Sequence, residues 1–505
     1  MGLALVPRPR SLVESGGDVA WAPRRAAVAP GLRSVVDVFL ADVAATLSGP
    51  VEFAGADGAD LVVGPASDLG PEAFRLLVGD VVEVAAGGPP GAAYALTTLR
   101  QLLSDDAGRD PAPGRGRLAR VRIEDAPAWP WRGVHLDVAR HFFSVADVCR
   151  FVDLIAAHRL NRLHLHLNDD QGWRVEVPGW PRLTEVGAWR TSTPVGHQRD
   201  GVDDLIHYGG FYSAADLAVI AERAARRHVT IVPEIDLPGH AQAVLAAYPQ
   251  LGTGEPVEVW TRWGVSSHVL EASEAALAFA EGVTTYVGDL FPASPVHIGG
   301  DECPTTQWAA SQSDAAVMAA HGFSDPRQLQ GLFTTRVAAA LAARGHEVAA
   351  WDEVLDGDVP PGTLIVAWRT GAQGAAAARR GFDVVMAPQE YLYFDWLNAE
   401  SPGEPVAQKA APQVTTWERV YGFRVLPDGL EPALAPRVRG AQAQLWTEYI
   451  ATRDHLDYMA FPRLCAFSEV VWGTATSPEE FRPRLASHLG RLAAVGVRFR
   501  PLEGP

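Results

Sequence analysis

The chain has 505 residues, 48% of them hydrophobic, and carries a formal charge of −17. That length holds more than one core, since domains run to about 100–200 residues and barrels to about 250 or more. The acidic balance excludes a phosphate-reading surface, which needs clustered basic residues, and no apolar run approaches the ~20 residues of a membrane span, so neither nucleic acid nor membrane is expected as a partner.

The opening stretch, "MGLALVPRPRSLVESGG", has no basic segment followed by a sustained apolar one. It reads as no secretory leader, and a cytoplasmic location is expected unless a leader has been removed. Next come helical and strand-like runs in alternation. "SVVDVFLADVAATL" (34–47) places Val36, Phe39, Leu40 and Val43 at helical spacing, and "VVEVAA" (81–86) reads as a strand. The polar, Gly- and Pro-rich stretch from Leu103 to Arg117 reads as a loop or linker. A small α+β domain over residues 1–125 is expected, and a second domain over 126–505.

After Trp131 the pattern changes. Eight apolar, β-branched runs follow, each ending in polar or aromatic residues: "GVHLDVAR" from Gly133, "RLHLHLND" from Arg162, "VTIVPEID" from Val229, "PVHIGGDE" from Pro295, "EVAAWDE" from Glu347, "TLIVAWR" from Thr363, "FDVVMAP" from Phe382 and "GAQAQLWTE" from Gly440. Helix-start signals lie between and after them: Ser144 with Asp147, Ser213 with Asp216, and Ser477 followed by Pro478, Glu479 and Glu480. Eight alternations predict an α/β fold, a (β/α)8 barrel. A doubly wound open sheet is the alternative, but no Gly-rich phosphate turn follows the first strand.

In a barrel of this kind the reacting groups sit where strands end. The ends offer Asp137 and Arg140, Asp169 and Asp170, Asp236 and His240, Asp301 and Glu302, then Trp351, Trp368, Tyr393 with Asp395, and Trp446 with Glu448. Carboxylates accept hydrogen bonds from hydroxyls, and aromatic faces pack on the C–H faces of a pyranose, so the set suits a sugar. Asp301 and Glu302 are adjacent, and neighbours in a regular strand point to opposite faces. They make a poor acid–nucleophile pair, which needs the scissile bond between its members. Gly299 and Gly300 before them would permit a bulge or close backbone packing.

"HIGGDE", with "RGVHLDVARHFF", "NRLHLHLNDDQGWR", "VPEIDLPGH" and "LWTE", resembles glycoside hydrolase family 20, the β-N-acetylhexosaminidases; the motifs match in order from about residue 130 to 475. "PEAFRL" (71–76) and "GAAYALTTLRQLL" (91–103) are similar to the domain that precedes the barrel in that family. The resemblance implies an exo-acting, retaining enzyme that removes terminal β-linked GlcNAc or GalNAc with the substrate's own acetamido oxygen as nucleophile, an exception to the two-carboxylate scheme. It implies Glu302 as general acid and then base, with Asp301 holding the acetamido N–H. Tyr393 would bind the acetamido oxygen; Tyr391 is the other tyrosine of "YLYFDW". Trp351, Trp368 and Trp446 would wall the acetamide pocket, and Arg140, Asp395 and Glu448 would hold hydroxyls. Asp169 or Asp170, with His240, would tune the acids, and Trp417 would meet the aglycone. No metal and no cofactor are implied, and the partner is a glycan substrate.

Two other readings compete. "HLHL", with His240 and His297, resembles the ligand set of a metal-dependent amidohydrolase, but its H-x-H lies on the second strand and the only lysine, Lys409, is read as lying in a loop. Interior histidines held by hydrogen bonds are the plainer account of His164 and His166. A non-catalytic carbohydrate-binding protein would keep the tryptophans and lose the acid Glu302. Cys303, beside Glu302, belongs to no C-x-x-C spacing, nor do Cys149 and Cys465, so neither a zinc knuckle nor a disulfide framework is suggested.

Overall fold

The computed structural model describes residues 3–103, 111–408 and 413–504. Lys409 and most of the interior of the 103–117 loop therefore lie outside the described residues. The first part builds a seven-stranded mixed sheet with the spatial order Ser11–Trp21, Gly116–Asp125, Phe74–Val78, Val82–Ala86, Leu61–Pro65, Arg25–Val28, Glu52–Phe53. Alternation along its strands explains which face is covered: Phe74, Leu76 and Val78 are buried, whereas Leu77 between them is exposed. Helices Arg33–Asp42 and Pro89–Leu103 supply the covering residues, among them Val36, Phe39, Tyr94, Leu96 and Leu99.

The second part is a closed barrel of eight parallel strands, met in chain order: Trp131–Asp137, Arg162–His166, Thr230–Glu234, Val296–His297, Val348–Trp351, Leu364–Ala367, Val384–Met386 and Val438–Leu445. Each falls within or across one of the eight apolar runs. The last strand closes on the first, with Gly440 opposite Trp131 and Leu445 opposite Leu136. The strands' two faces differ in chemistry. Leu163 and Leu165, or Ile365 and Ala367, join the core shared with the surrounding helices, whereas Leu364, Val366 and Val385 face a separate interior cluster with Trp131, Trp351 and Trp446. The interior also holds His135, His164, His166, His297 and Glu234, all essentially inaccessible.

The capping signals act as their chemistry dictates. Ser144 and Asp147, and Ser213 and Asp216, form reciprocal capping boxes on helices Val145–Ala157 and Ala214–Arg226. Ser477 accepts from the Glu480 N–H at the start of Pro478–Ala494.

The two parts meet through buried charge. Arg159 bonds Asp125 at 3.0 Å with neither side chain accessible, and Trp472 donates its indole N–H to the same carboxylate at 3.0 Å. Arg132 binds Glu72 at 2.6 Å and the Tyr94 hydroxyl at 2.7 Å. Trp472, from a barrel helix, packs in the core of the first sheet, so the sheet is locked onto the bottom of the barrel, away from the loops that follow the strands.

Candidate active site

A cleft of about 200 Å³ opens at the C-terminal ends of the barrel strands. Its walls include Arg140, His240, Asp301, Glu302, Trp368, Tyr393, Asp395, Trp446 and Glu448. The fourth strand ends at His297, and the chain then turns sharply, because Gly299 and Gly300 both adopt left-handed φ values, 64° and 96°. A Cβ on Gly299 would lie 1.8 Å from Asp236 Oδ1, and one on Gly300 2.4 Å from Val354 Cγ1. The Gly300 N–H donates to Asp236 Oδ1 at 2.9 Å. Glu302 also has positive φ, 46°, unusual for a residue with a Cβ. Simple strand alternation therefore does not orient the two acids; a turn made possible by glycine does. The outcome is unequal: Asp301 is 7% exposed, while Glu302 is open to solvent.

Asp301 sits in a buried acidic cluster. Its Oδ2 lies 3.9 Å from His240 Nε2, and Asp236 completes a tight triangle with them. Burial and the facing Asp236 charge hold Asp301 well above the usual carboxylate range, and burial pushes Asp236 up to about 7. Two buried carboxyls in contact cannot both ionise cheaply, so the pair holds a shared proton.

His240 is held from behind by Asp169, whose Oδ1 accepts from Nδ1 at 3.0 Å. Asp169 Oδ2 meets Arg140 at 2.7 Å and His166 Nε2 at 2.8 Å. Burial alone would raise Asp169, but the Arg140 and His240 charges outweigh it and hold the group well below its ordinary value. Asp170 has a different task. It accepts backbone N–H bonds from Gln242 and Ser266 at 3.0 and 2.9 Å, fixing the loops beyond. The choice that "NDD" left open thus separates into one aspartate joined to Arg140 and His240 and one that holds backbone. Arg140 is further fixed by Asp137 at 3.2 Å and Gln171 at 2.9 Å, with its guanidinium 5.1 Å from the Trp446 ring centre.

The aromatic side of the cleft is equally fixed. The rings of Trp368 and Tyr393 lie nearly parallel, 5.9 Å apart, and Tyr393 approaches Trp396 and Trp446 at 6.4 and 6.5 Å. Burial holds the Tyr393 phenol well above its usual range, so it remains a donor. Tyr391 faces Phe423 instead, 5.7 Å away. The 393–396 segment is clamped from below by the inaccessible Arg463, which donates to the carbonyls of Phe394 and Trp396 at 2.6 and 2.9 Å. Glu448 is 8% exposed, and its Oε2 accepts no hydrogen bond from the described residues. Burial raises its carboxyl.

Two tryptophans fall elsewhere than expected. Trp351 does not line the cleft; it is fully buried beneath it, 6.1 Å from Trp446 and 4.5 Å from His297. Trp417 lies at the start of the short helix Trp417–Tyr421, capped by Thr416, with its ring 5.8 Å from Phe481. There its apolar area is used in packing that helix onto the barrel's outer helices, so it does not reach the cleft. Conversely, Gln389, Trp396 and Gln408 line the cleft and were not singled out from sequence. Trp396 adjoins Asp395 in "YLYFDW" and could have been found by that adjacency; the glutamines carry no distinguishing signal.

His164 and His166 are held by hydrogen bonds within the barrel. His166 joins Glu234 to Asp169, and His164 contacts Gln442 at 3.0 Å and Glu234 at 3.2 Å. His164, His297 and Glu234 come within ligand distance of one another, but all three are sealed below the cleft, where a hydrolytic metal would have no position open to substrate. His240, the other histidine of the metal reading, turns to Asp169 instead. Burial pushes the Cys303 thiol up, which removes it as a nucleophile at neutral pH.

A parallel barrel whose mouth gathers a buried and an exposed carboxyl, a phenol and indole faces around one small cleft is built as a sugar-cleaving enzyme. The comparisons agree with that class. The family model described as glycosyl hydrolase family 20, catalytic domain, matches residues 129–475, and that for family 20, domain 2, matches residues 2–126. A beta-hexosaminidase of Porphyromonas gingivalis is 37% identical over 431 residues, covering 83% of this chain and 53% of that protein. A beta-N-acetylhexosaminidase of Cellulomonas fimi is 34% identical, covering 98% and 96%. Among solved structures, the GH20 exo beta-N-acetylglucosaminidase from Vibrio harveyi in complex with N-acetylglucosamine superposes with a TM-score of 0.89 at 30% identity, covering 99% of this chain and 78% of that one. The Streptomyces plicatus N-acetyl-beta-hexosaminidase in complex with Thio-NAglucal gives 0.85 at 30%, covering 100% and 97%. The chain belongs to glycosyl hydrolase family 20. It spans about half the length of the P. gingivalis relative and 63% of a beta-hexosaminidase from Vibrio furnissii.

Proposed function

We propose that the protein is an exo-acting, retaining β-N-acetylhexosaminidase that uses substrate-assisted catalysis. The observation that carries this reading is the unequal pair. Asp301 is buried against Asp236 and His240, and Glu302, the next residue, stands in solvent at the cleft edge. One carboxyl is thus placed to hold an acetamido N–H deep in the cleft, and the other to protonate a departing glycosidic oxygen. The acetamido oxygen attacks the anomeric carbon, the C–O bond to the aglycone breaks, and Glu302 gives its proton to the leaving oxygen. An oxazolinium ion forms, whose positive charge is offset by the single negative charge that Asp301 shares with Asp236. Glu302 then takes a proton from the water that opens the ring, returning the acetamide and the retained configuration. Tyr393, a permanent donor, meets the acetamido oxygen. Arg140, Asp395 and Glu448 read the hydroxyls of a terminal sugar.

The test is release of nitrophenol from β-GlcNAc, β-GalNAc, β-glucoside and α-GlcNAc aryl glycosides, with EDTA throughout. Cleavage confined to the β-acetamido sugars supports the reading. Cleavage of the β-glucoside at a similar rate requires a nucleophile from the protein and overturns it. Loss of activity with EDTA would favour the metal-dependent hydrolase.

A further inference from the structure

The carboxyl of Glu353 touches one wall of the cleft, at Trp368, without lining the cleft itself. It lies in the single helical turn Asp352–Asp356 that follows the fifth barrel strand. Its Oε2 accepts the indole N–H of Trp368 at 3.1 Å. Asp352 next to it accepts the Trp368 backbone N–H at 3.4 Å and the Arg369 Nε–H at 3.0 Å. Trp368 is therefore tied at both ends by consecutive acids from the neighbouring strand end, its backbone by Asp352 and its ring by Glu353. An indole attached only by its backbone can still turn about its side-chain torsions. The Glu353 bond sets the plane in which the ring faces the cleft, nearly parallel to Tyr393. Burial and the nearby Asp301 charge push Glu353 up to about 8, so at neutral pH the group holds its proton on one oxygen and keeps the other as an acceptor. It orders the ring without adding a second negative charge beside Asp301.

We infer that Glu353 is a positioning residue that fixes the Trp368 indole and thereby sets which acyl group the enzyme accepts on the sugar nitrogen. The inference rests on the hexosaminidase reading, in which Trp368 walls the acetamide. A fixed ring gives that pocket a defined depth, and a ring free to swing would admit a longer acyl chain. One methylene in a shaped apolar pocket is worth roughly 10–200-fold in kcat/KM.

The experiment compares nitrophenyl β-glucosaminides bearing N-acetyl and N-propionyl groups. The wild type should prefer N-acetyl by at least about tenfold. Glu353→Ala should lose most of that preference, whereas Glu353→Gln, whose amide oxygen still accepts the indole N–H, should keep it. Trp368→Phe removes the same bond from the other side, so it should lose the preference too, and Glu353→Ala should change nothing further in that background. If Glu353→Ala folds and retains the wild-type preference, the inference is overturned while the function stands. If it does not fold, a Trp368→Phe enzyme with unchanged preference overturns the inference equally. A wild type that cleaves neither glycoside overturns the hexosaminidase reading and this one with it.

Discussion

Gly299→Ala tests whether the glycine turn is what aims the two acids. Two costs can be worked from the structure. The residue has φ 64°, a region that costs an L-residue with a Cβ about 1–2 kcal/mol. The added methyl would also stand 1.8 Å from Asp236 Oδ1 and 2.5 Å from Asp236 Cα, where the backbone itself must yield, and overpacking of that kind costs about 1–3 kcal/mol. A total loss near 2–5 kcal/mol is expected from urea unfolding. Gly201→Ala separates the terms, since Gly201 has φ 68° and, among the described residues, nothing within 4 Å of its would-be Cβ. It should lose only the ~1–2 kcal/mol of backbone strain. Activity distinguishes function from stability. Relief of the clash moves Asp236 or the 299–302 backbone by a fraction of an ångström or more, and a 1 Å misplacement of reacting groups can cost about 10²-fold. Folded Gly299→Ala enzyme should thus lose on the order of 10²-fold in kcat on a nitrophenyl β-GlcNAc, with Gly201→Ala unchanged. Near-normal turnover by Gly299→Ala, or equal destabilisation in both variants, would refute the argument.

Three further outcomes are expected. Glu302→Gln should lower kcat by about 10²–10⁴-fold on alkyl glycosides but far less on dinitrophenyl glycosides, whose leaving group needs no proton; equal losses on both would contradict the general-acid assignment. Burial and the facing Asp236 charge raise the Asp301 carboxyl, so the group that offsets the oxazolinium charge ionises later than it would alone. Asp236→Asn removes that charge, so Asp301 should ionise at lower pH and the acid limb of kcat/KM should move to lower pH; an unmoved limb would show that this pair does not set it. Asp125→Ala leaves Arg159 charged and buried without its carboxylate, which should cost about 3–5 kcal/mol in urea unfolding; a loss below about 1 kcal/mol would mean that this ion pair does not hold the junction of the two parts.

Some of this architecture is written locally and some is not. The eight barrel strands were legible because each is a short apolar run closed by polar residues, and the helix starts because Ser144, Ser213 and Ser477 each satisfy a backbone donor three residues ahead. The residues that line the cleft were largely legible too, because in a parallel barrel the position just past each strand fixes where a side chain is delivered. Arg140, Asp301, Trp368, Trp446 and Glu448 all follow from that rule.

Tertiary structure decided what spacing leaves equivalent. Trp351 and Trp368 both close a strand, yet the first is sealed beneath the cleft and the second faces it, because one stays within the barrel interior and the other follows the strand's last residue. Trp417 looked like a site residue and became packing against Phe481. Asp169 and Asp170 are neighbours of identical chemistry, separated by which partners reach them: the distant Arg140 and His240, with nearby His166, for one, and the distant Gln242 and Ser266 amides for the other. Sequence by itself determined the elements and the chemical types gathered at the mouth, because those depend on periodicity, capping and strand direction. Burial, charge pairing and the unequal exposure of Asp301 and Glu302 depend on atoms brought together from distant segments, such as Asp236 against Gly299 and His240 against Asp169, and only the closed barrel sets those distances.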